Sequence, residues 1–344
     1  MTRKLASVLF IGFLAVFLTA SAFAASSEGK VFKWRFQSHW PAASASFKPL
    51  KKYFDEDLKK LTGGRLQITL FPAAALVPTK ELFDASRKGT VDGGTGSPAY
   101  WMKIVPIAGV SGNCPMTFRE PWEGLYFHYV SGFEKMLREA HAKHNLLYYT
   151  EKIYPTAMIG KKPIQKIEDF KGYKIRSSGA IAELLRDLGA SPALIHGSEL
   201  YLSLQTGVVE GAHWGAAQGA LSMKLCEVAK YYIQPNLAMS GTDVILINKD
   251  AYNALPKDLQ IILDLALNER VWHRTHEYIM GEVNALEMMK KKYGVKVSTL
   301  PAEDQKKMVK VAMKAWDEVA GQDALAAKAV SMLKDFLRKL DYID

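Results

Sequence analysis

The amino-acid sequence predicts an α/β fold divided into two domains. Strand-like and helix-like patterns alternate along the first 90 residues, and the same order returns after residue 146. Alternation of this kind is typical of sheets covered by helices. We expect the mature chain to begin near Ala25 and to hold about 320 residues, a length at which chains usually divide their hydrophobic core between domains.

The elements of the first half follow from the spacing of apolar residues. Residues 31–37 and 66–70 alternate apolar and polar side chains, which predicts two strands. Residues 46–61 carry apolar side chains at helical spacing, and residues 80–87 form a shorter helical pattern that is closed by Gly89. The predicted order is therefore strand, helix, strand, helix.

The second half begins with the apolar, β-prone residues 146–149, where we expect the chain to cross into the second domain. A short strand ending at Arg176 is followed by an amphipathic helix and by a turn at Gly189. The pattern then predicts a short strand around residues 194–195 and a helix capped by Ser198. This part of the chain repeats the order of the first half.

The last hundred residues are mostly helical. Residues 244–248 are apolar enough for a central strand. Residues 256–293 carry apolar side chains at i, i+3 and i+4 steps, which predicts one long helix. Residues 301–344 are also helical in pattern, with an interruption at Gly321.

Residues 1–24 predict a secretory signal peptide. Arg3 and Lys4 precede an apolar run over residues 5–18, and residues 22–24 read Ala-Phe-Ala, a small-x-small cleavage signal. The apolar run is shorter than the roughly 18 to 20 residues that a membrane span needs. We therefore expect export and cleavage rather than anchoring.

Charge and cysteine content narrow the function classes. The formal net charge is +10, and the basic residues are interspersed with acidic ones along predicted helices, which indicates solvated faces rather than a nucleic-acid interface. Cys114 and Cys226 fit either a disulfide, which an exported protein can form, or two buried thiols. Two cysteines this far apart do not form a zinc signature.

Arg176 is the first candidate site residue. It stands where a strand ends and the turn Ser177-Ser178-Gly179 opens. A guanidinium offers a planar fork of donors that pairs with a carboxylate through two parallel hydrogen bonds. A surface ion pair is the competing interpretation for a single arginine, and the surrounding motifs bear on the choice.

Several short motifs carry a family resemblance. Residues 169–176 read DFKGYKIR, residues 188–192 read LGASP, residues 198–211 read SELYLSLQTGVVEG, residues 88–92 read KGTVD and residues 248–250 read NKD. Together they resemble the solute-binding proteins of tripartite ATP-independent periplasmic (TRAP) transporters. The resemblance covers about residues 31 to 300.

This resemblance implies a two-domain periplasmic-binding-protein-like fold with a hinge and a long bracing helix. The N-terminal domain would comprise residues 25–152 plus about 238–280. The C-terminal domain would comprise about 153–237 plus 281–344, including the C-terminal helices. The protein would reside in the periplasm, bind an organic acid between the domains and pass it to the TRAP membrane permease.

The resemblance also implies roles for three residues of the second domain. Arg176 would pair with the ligand's carboxylate, and Trp214 would form a wall of the site and offer an indole N–H. His213 could donate to the ligand, or it could be an ordinary core or surface histidine. Relatives that bind 2-oxo acids use a carboxylate at position 213 to help bind a cation. His213 cannot supply that charge, so we expect no metal ion.

Position 156 bears on the class of ligand. Many relatives have a second arginine about twenty residues before the first, and here that place is near Thr156. The missing cation disfavours sialic acid and C4-dicarboxylates. It favours a monocarboxylate or a 2-oxo acid with an uncharged tail that is apolar or aromatic.

Aromatic residues after the strands of the first half are the remaining candidates. Ligands of open α/β sheets lie beyond the carboxyl ends of the strands. Tyr100, Trp40 and Phe71 stand at such places, although aromatic residues are more often part of a core. Weaker candidates are Trp101, Gln218 and Asp243.

Enzyme function is not expected, and neither is a cofactor. The chain lacks a G-x-S-x-G elbow, an H-E-x-x-H motif, a phosphate loop and a G-x-G-x-x-G turn after a strand. The alternatives that stay open are the binding component of an ATP-driven importer, a periplasmic enzyme and a signalling receptor domain. The sequence leaves open whether the protein is a monomer or a dimer.

Overall fold

The computed structural model describes residues 29–112 and 114–344 of the 344-residue chain. The predicted signal peptide, residues 1–24, lies outside the described residues. Among the described residues, no helix combines the length and the apolar character that a membrane span requires.

Strands and helices alternate as the sequence predicts. The strands are β1 (Phe32–Gln37), β2 (Leu66–Phe71), β3 (Gly93–Gly96), β4 (Leu146–Gly160), β5 (Lys174–Arg176), β6 (Ser191–Ala193), β7 (Gly211–His213), β8 (Tyr231–Asn248) and β9 (Lys296–Thr299). The α-helices are α1 (Phe47–Lys52), α2 (Lys59–Leu61), α3 (Leu82–Arg87), α4 (Ala108–Ser111), α5 (Pro121–Leu125), α6 (Phe133–Ala142), α7 (Gly179–Asp187), α8 (Gly197–Thr206), α9 (Ala217–Ser222), α10 (Leu225–Val228), α11 (Lys249–Asn253), α12 (Lys257–Tyr293), α13 (Ala302–Ala320) and α14 (Ala324–Lys339). A π-helical segment, Tyr53–Leu58, joins α1 to α2.

The strands form one mixed sheet in the order β2-β1-β3-β8-β4-β7-β5-β6, with β9 also paired to β8. The long strands β4 and β8 are antiparallel and run through its middle, from the pair Leu146–Asn248 to the pair Gly160–Tyr231. At one end they continue into β3, β1 and β2, and at the other into β7, β5 and β6. The two predicted domain boundaries at residues 152 and 237 both fall inside these strands.

Helix α12 braces both ends of the sheet. Its first half buries Leu259, Leu263 and Leu267 against the core of β1 and β2. Its second half buries Ala285 and Met289 against the core beneath β7 and α8. One helix of 37 residues therefore packs on both halves, and the predicted long helix is confirmed.

The C-terminal helices α13 and α14 are separated at Gly321, as the sequence predicts. Trp316 of α13 is fully buried, and its indole N–H donates to the Pro115 carbonyl at 2.9 Å. Cys114 and Cys226 are both free and buried, and they lie in different hydrophobic clusters. These two cysteines therefore do not form the disulfide that the sequence left open.

Two local predictions are wrong. The short strand after Gly189 is Ser191–Ala193 rather than residues 194–195, because Ala193 pairs with Arg176 in the parallel ladder. Helix α8 begins at Gly197 with His196 at the N-cap, so Ser198 lies inside the first turn and does not cap the helix.

Strand β3 consists of Gly93–Gly96 and has no hydrophobic pattern that predicts it. A Cβ on Gly93 would lie 2.5 Å from the Leu246 carbonyl oxygen and 2.5 Å from the ring of Phe36. The neighbouring strands β1 and β8 pack so closely on β3 that position 93 requires glycine.

Candidate functional site

A partly open cavity lies where the two halves of the sheet meet. Its volume is about 50 Å³, room for roughly three to five water molecules. Side chains from the ends of β5 and β7 form one wall: Arg176, Ser178, His213 and Trp214. Side chains from the loops after β1 and β3, from β4, from β8 and from α12 form the other: His39, Trp40, Ser97, Tyr100, Tyr154, Asp243 and Tyr278.

Arg176 ends strand β5 and is 3% exposed. Its Nε donates to the carbonyl of Ile195 at 2.8 Å, and its Nη1 donates to the carbonyl of His213 at 2.6 Å. Its Nη2 donates to the hydroxyl of Tyr100 at 3.3 Å. A guanidinium has five N–H groups, so two of them, one on each terminal nitrogen, remain for a ligand.

No acidic side chain neutralises Arg176 within residues 29–112 and 114–344. All its acceptors there are carbonyl oxygens and a phenol. The ring of Trp214 lies 4.9 Å from its Cζ, and Trp214 in turn packs on Gly197, where a Cβ would lie 2.4 Å from the ring. A buried charge without a counter-ion is costly. The geometry therefore presents a fixed cation that faces a cavity.

Tyr100 reaches the cavity from the loop after β3 and makes ring contacts with His39 and His196. Burial raises the pKa of Tyr100, and the neighbouring Arg176 opposes the shift without reversing it. The hydroxyl is therefore protonated at neutral pH. Its oxygen accepts from Arg176, which leaves its proton for another acceptor.

His213 ends strand β7 and is 3% exposed. Its Nδ1 lies 2.9 Å from the hydroxyl of Ser177. Burial, and then the charge of Arg176, lower the pKa of His213 well below its ordinary value. The imidazole is therefore neutral at pH 7 and adds no charge beside the arginine.

Asp243 of β8 lies on the opposite wall. Lys152 Nζ donates to its Oδ2 at 2.5 Å, and the Tyr154 hydroxyl donates to its Oδ1 at 3.2 Å. His39 Nε2 lies 3.3 Å from the same Oδ1. Burial by itself would raise the pKa of Asp243, but Lys152 and His39 outweigh it and lower the pKa. The group is therefore a carboxylate.

Lys152 links the cavity to a buried ion cluster between β4, β8 and α12. Its ammonium also donates to Glu151 at 3.0 Å, and Arg270 donates to the other oxygen of Glu151 at 3.0 Å. Arg274 lies 3.9 Å from Glu151 and pairs with Glu277 at 2.9 Å. Here the two long strands are held to the bracing helix by charge as well as by packing.

The structure brings together most of the predicted site residues. Those that line the cavity are Arg176, Trp214, Tyr100, His213, Trp40 and the weaker candidate Asp243.

Three candidates lie elsewhere. Phe71 stands at the end of β2 beside Gln37, outside the cavity. Trp101 stacks on Phe83 in the core, and Gln218 donates to the Tyr278 carbonyl.

Sequence reasoning missed several lining residues. His39 was visible next to Trp40, in the same loop after β1. Ser97 was likewise visible, three residues before Tyr100 in the same loop after β3. Tyr154 and Tyr278 carried no local signal, because their positions follow from the register of β4 and β8 and from the docking of α12.

Within the described part of the chain, no group of three or more His, Cys, Asp or Glu side chains is arranged to hold a metal ion. The cavity contains one carboxylate, and that carboxylate is already paired with an ammonium. The side chains present offer hydrogen bonds and charge rather than a coordination shell.

A polar cavity between two halves of an α/β sheet joined by long strands is the architecture of a two-domain solute-binding protein. The model of the family described as DctP, bacterial extracellular solute-binding protein, family 7, matches residues 36–323. The chain belongs to this family. The resemblance to TRAP solute receptors is thereby confirmed, and the family consists of extracellular receptors.

Individual relatives agree with this assignment. A monocarboxylate 2-oxoacid-binding periplasmic protein of Nostoc sp. is 25% identical over 311 residues, which cover 90% of this chain and 85% of the relative. A TRAP periplasmic solute-binding protein of Pseudoalteromonas atlantica, solved with bound sodium and pyruvate, has a TM-score of 0.83 at 23% identity, covering 91% and 95% of the two chains. DctP6 of Bordetella pertussis, a receptor that binds pyroglutamic acid, has a TM-score of 0.79 at 22% identity, covering 90% and 100%. At these identities the two solved structures support the fold.

Proposed function

We propose that this protein is the periplasmic receptor of a TRAP transporter, and that it binds a small organic acid through a pair between Arg176 and the ligand's carboxylate. The observation that carries the proposal is the buried Arg176, which no acidic side chain among the described residues neutralises. Its two remaining N–H groups match the two oxygens of a carboxylate.

The cavity favours a monocarboxylate or a 2-oxo acid with an uncharged tail. Its volume of about 50 Å³ suits a compact molecule rather than one with an aromatic ring. The rings of Trp40, Trp214 and Tyr278 provide apolar contacts for the tail. The lining holds no second cation besides Arg176 for another carboxylate. The names of the Nostoc and Pseudoalteromonas relatives, which concern 2-oxo acids and pyruvate, point to the same class.

A site with residues from both halves of the sheet supports closure around the ligand, the step that would precede delivery to a membrane permease. Arg176 and Trp214 act from one half of the sheet, and Tyr100 and Trp40 act from the other. A ligand that contacts both halves binds the closed form better than an open one and therefore shifts the population towards closure. The closed, loaded receptor is the form that the permease would accept.

The test is mass spectrometry of small molecules released from the purified mature protein, joined to a thermal-shift screen of organic acids. We expect one acid or a small group of acids to co-purify or to stabilise the wild type. The Arg176→Ala variant should lose that stabilisation, because a buried carboxylate without its partner typically costs about 2 to 5 kcal/mol, roughly 30- to 4,000-fold in affinity.

Arg186→Ala is the matched control, since Arg186 is an exposed arginine on α7 that pairs with Glu183 outside the cavity. Arg176→Lys adds a second comparison, because it keeps the charge and removes the fork. An equal response of Arg176→Ala and wild type to every acid would contradict the proposal.

A further inference from the structure

The two walls of the cavity differ in the hydrogen bonds that they offer. The wall with Arg176 presents donors. The opposite wall offers the proton of the Tyr100 hydroxyl as a donor, and it presents as its acceptor the carboxylate of Asp243, which receives hydrogen bonds from Lys152, Tyr154 and His39. An ionised carboxylate accepts about four hydrogen bonds in total. One acceptor position of Asp243 is therefore left for a ligand.

The surroundings of Asp243 oppose a metal ion at this position. Lys152 Nζ lies 2.5 Å from Oδ2, and the same ammonium lies 4.4 Å from the centre of the Trp40 ring. A cation bound to Asp243 would sit close to this ammonium, with no other carboxylate lining the cavity. Repulsion by the ammonium in a desolvated site would offset the attraction of the single carboxylate.

The charge balance of the groups around the cavity also opposes a ligand ammonium. In the ion cluster next to the cavity, three cations match three carboxylates. These are Lys152, Arg270, Arg274, Glu151, Asp243 and Glu277. Arg176 is then the buried cation of the cavity that still needs a counter-charge. A ligand with net charge −1 supplies it, whereas a zwitterion would place a further positive charge beside Lys152.

A ligand with acceptor atoms alone fits poorly as well. A carbonyl oxygen turned towards Asp243 would face a carboxylate without a proton between them, and burial makes such an unpaired contact costly. A cavity of about 50 Å³ leaves little space for a bridging water beside a small acid. A neutral O–H or N–H group satisfies the remaining position of Asp243 without changing the charge.

We propose that Asp243 is the specificity-determining acceptor of this cavity, and that the ligand is a small monoanionic acid with a neutral hydrogen-bond donor, a hydroxyl or an amide N–H, close to its carboxylate. This inference rests on the proposed function, since Arg176 must hold the carboxylate for the donor to reach Asp243. It narrows the acids from monocarboxylates and 2-oxo acids in general to those that carry a donor.

The test compares matched acids by isothermal titration calorimetry on the wild-type protein. One set is lactate, pyruvate and propionate, which differ at the second carbon, and 2-hydroxyisovalerate, 2-oxoisovalerate and isovalerate repeat it with a larger tail. A third comparison pairs the lactam 5-oxoproline with its lactone analogue, in which a ring oxygen replaces the N–H group. Each titration is run in potassium buffer with a chelator and repeated with added sodium and then calcium.

We expect the donor-bearing acid of at least one set to bind at least tenfold more tightly than its analogues, without any added cation. The set that responds distinguishes a hydroxyl from an amide N–H. Equal or tighter binding of the oxo acid or of the lactone would overturn the inference. Binding that requires sodium or calcium would also overturn it, because a cation would then occupy the place assigned to the donor.

Asp243→Asn tests the residue itself, because an amide can either accept or donate. We expect the preference for the donor-bearing acid to shrink to about threefold or less. Asp264→Asn is the control, since Asp264 accepts from Tyr149 and Tyr252 outside the cavity and should leave the preference unchanged. If Asp243→Asn does not fold, the comparison of matched acids on the wild type still tests whether the cavity prefers a ligand with a donor.

The two proposals fail in different ways. Acids that bind wild type, lose binding in Arg176→Ala and show no preference for a donor would leave the proposed function standing and overturn the role of Asp243. Failure of every acid to bind wild type would contradict the proposed function, and the role of Asp243 with it.

Discussion

The Nη2 of Arg176 donates a hydrogen bond to the hydroxyl of Tyr100 at 3.3 Å, although the two residues are 76 positions apart in the chain. Arg176 ends β5 and Tyr100 follows β3, which lie on opposite sides of the long strands β4 and β8. The contact therefore spans the cavity and connects the two halves of the sheet. It also fixes the guanidinium so that its free N–H groups face the cavity.

Tyr100→Phe should weaken ligand binding by roughly 10- to 150-fold. The change removes the hydroxyl proton that would donate to the ligand's carboxylate, and a hydrogen bond to a charged group is typically worth about 1.5 to 3 kcal/mol. Calorimetry with the acid identified from the wild type measures the loss. Tyr126→Phe is the control, because Tyr126 is exposed and stacks on Phe336 away from the cavity. Unchanged affinity in Tyr100→Phe would show that the hydroxyl has no part in binding.

Gly197→Ala should displace Trp214 and reduce affinity by roughly 2- to 30-fold. The new Cβ would lie 2.4 Å from the indole, so the ring would have to move from its place 4.9 Å from Arg176. The cation–π contact at risk is worth about 0.5 to 2 kcal/mol. Trp214 fluorescence cannot be isolated among seven tryptophans, so calorimetry is the measurement.

Gly321→Ala is the control for this change. Gly321 lies between α13 and α14, and a Cβ there would be 3.5 Å from the nearest atom, an ordinary contact. If both alanine variants bind the acid as tightly as wild type, the position of Trp214 does not matter for the ligand.

Glu151→Gln should lower the free energy of unfolding by about 3 to 5 kcal/mol. Glu151 is fully buried between Lys152 and Arg270, and its neutralisation leaves buried cations without a partner. Urea unfolding followed by circular dichroism measures the difference. Glu277→Gln is the control, since Glu277 is half exposed and its pair with Arg274 should contribute about 1 kcal/mol or less. Similar losses of unfolding free energy in the two variants would argue against a stabilising role for the buried ion cluster around Glu151.

Glu282 should make the protein less stable as pH rises from about 4.5 to about 7. Burial raises the pKa of Glu282 from 4.5 to about 7, and hydrogen bonds from the backbone N–H groups of Gln218 and Ala217 offset part of the shift. The folded state therefore binds the proton more tightly than the unfolded chain, and stability is lost as the group ionises. The effect is at most roughly 3 kcal/mol.

Urea unfolding at several pH values from 4 to 8 checks this dependence. Relative to the wild type, Glu282→Gln should gain stability as pH rises over that window, whereas Glu303→Gln, a change of an exposed glutamate, should not. The same pH dependence in Glu282→Gln as in the wild type would contradict the assignment.

The sequence predicts the regular elements well where local pattern determines them. Residues 31–37, 66–70 and 256–293 repeat their apolar residues at the period of a strand or a helix, and each forms that element. The strands β4 and β8 were predicted only at one end. Their middle carries Lys152 and Asp243, which a local pattern excludes from a core but which a mutual ion pair makes tolerable.

The candidate site was predictable where one chain segment carries it. Arg176, His213 and Trp214 lie within a single motif-rich block, and all three line the cavity. Tyr154 comes to the cavity through the register of two long strands, and Phe71 is directed elsewhere by the end of β2. Such long-range placement has no local signature in one sequence.

The most direct test of the account is a crystal structure of the protein with the acid that the screen identifies. We expect the ligand in the cavity between the two halves of the sheet, with its two carboxylate oxygens at about 2.7 to 2.9 Å from the terminal nitrogens of Arg176. A ligand bound outside this cavity, or one whose carboxylate makes no contact with Arg176, would contradict the account.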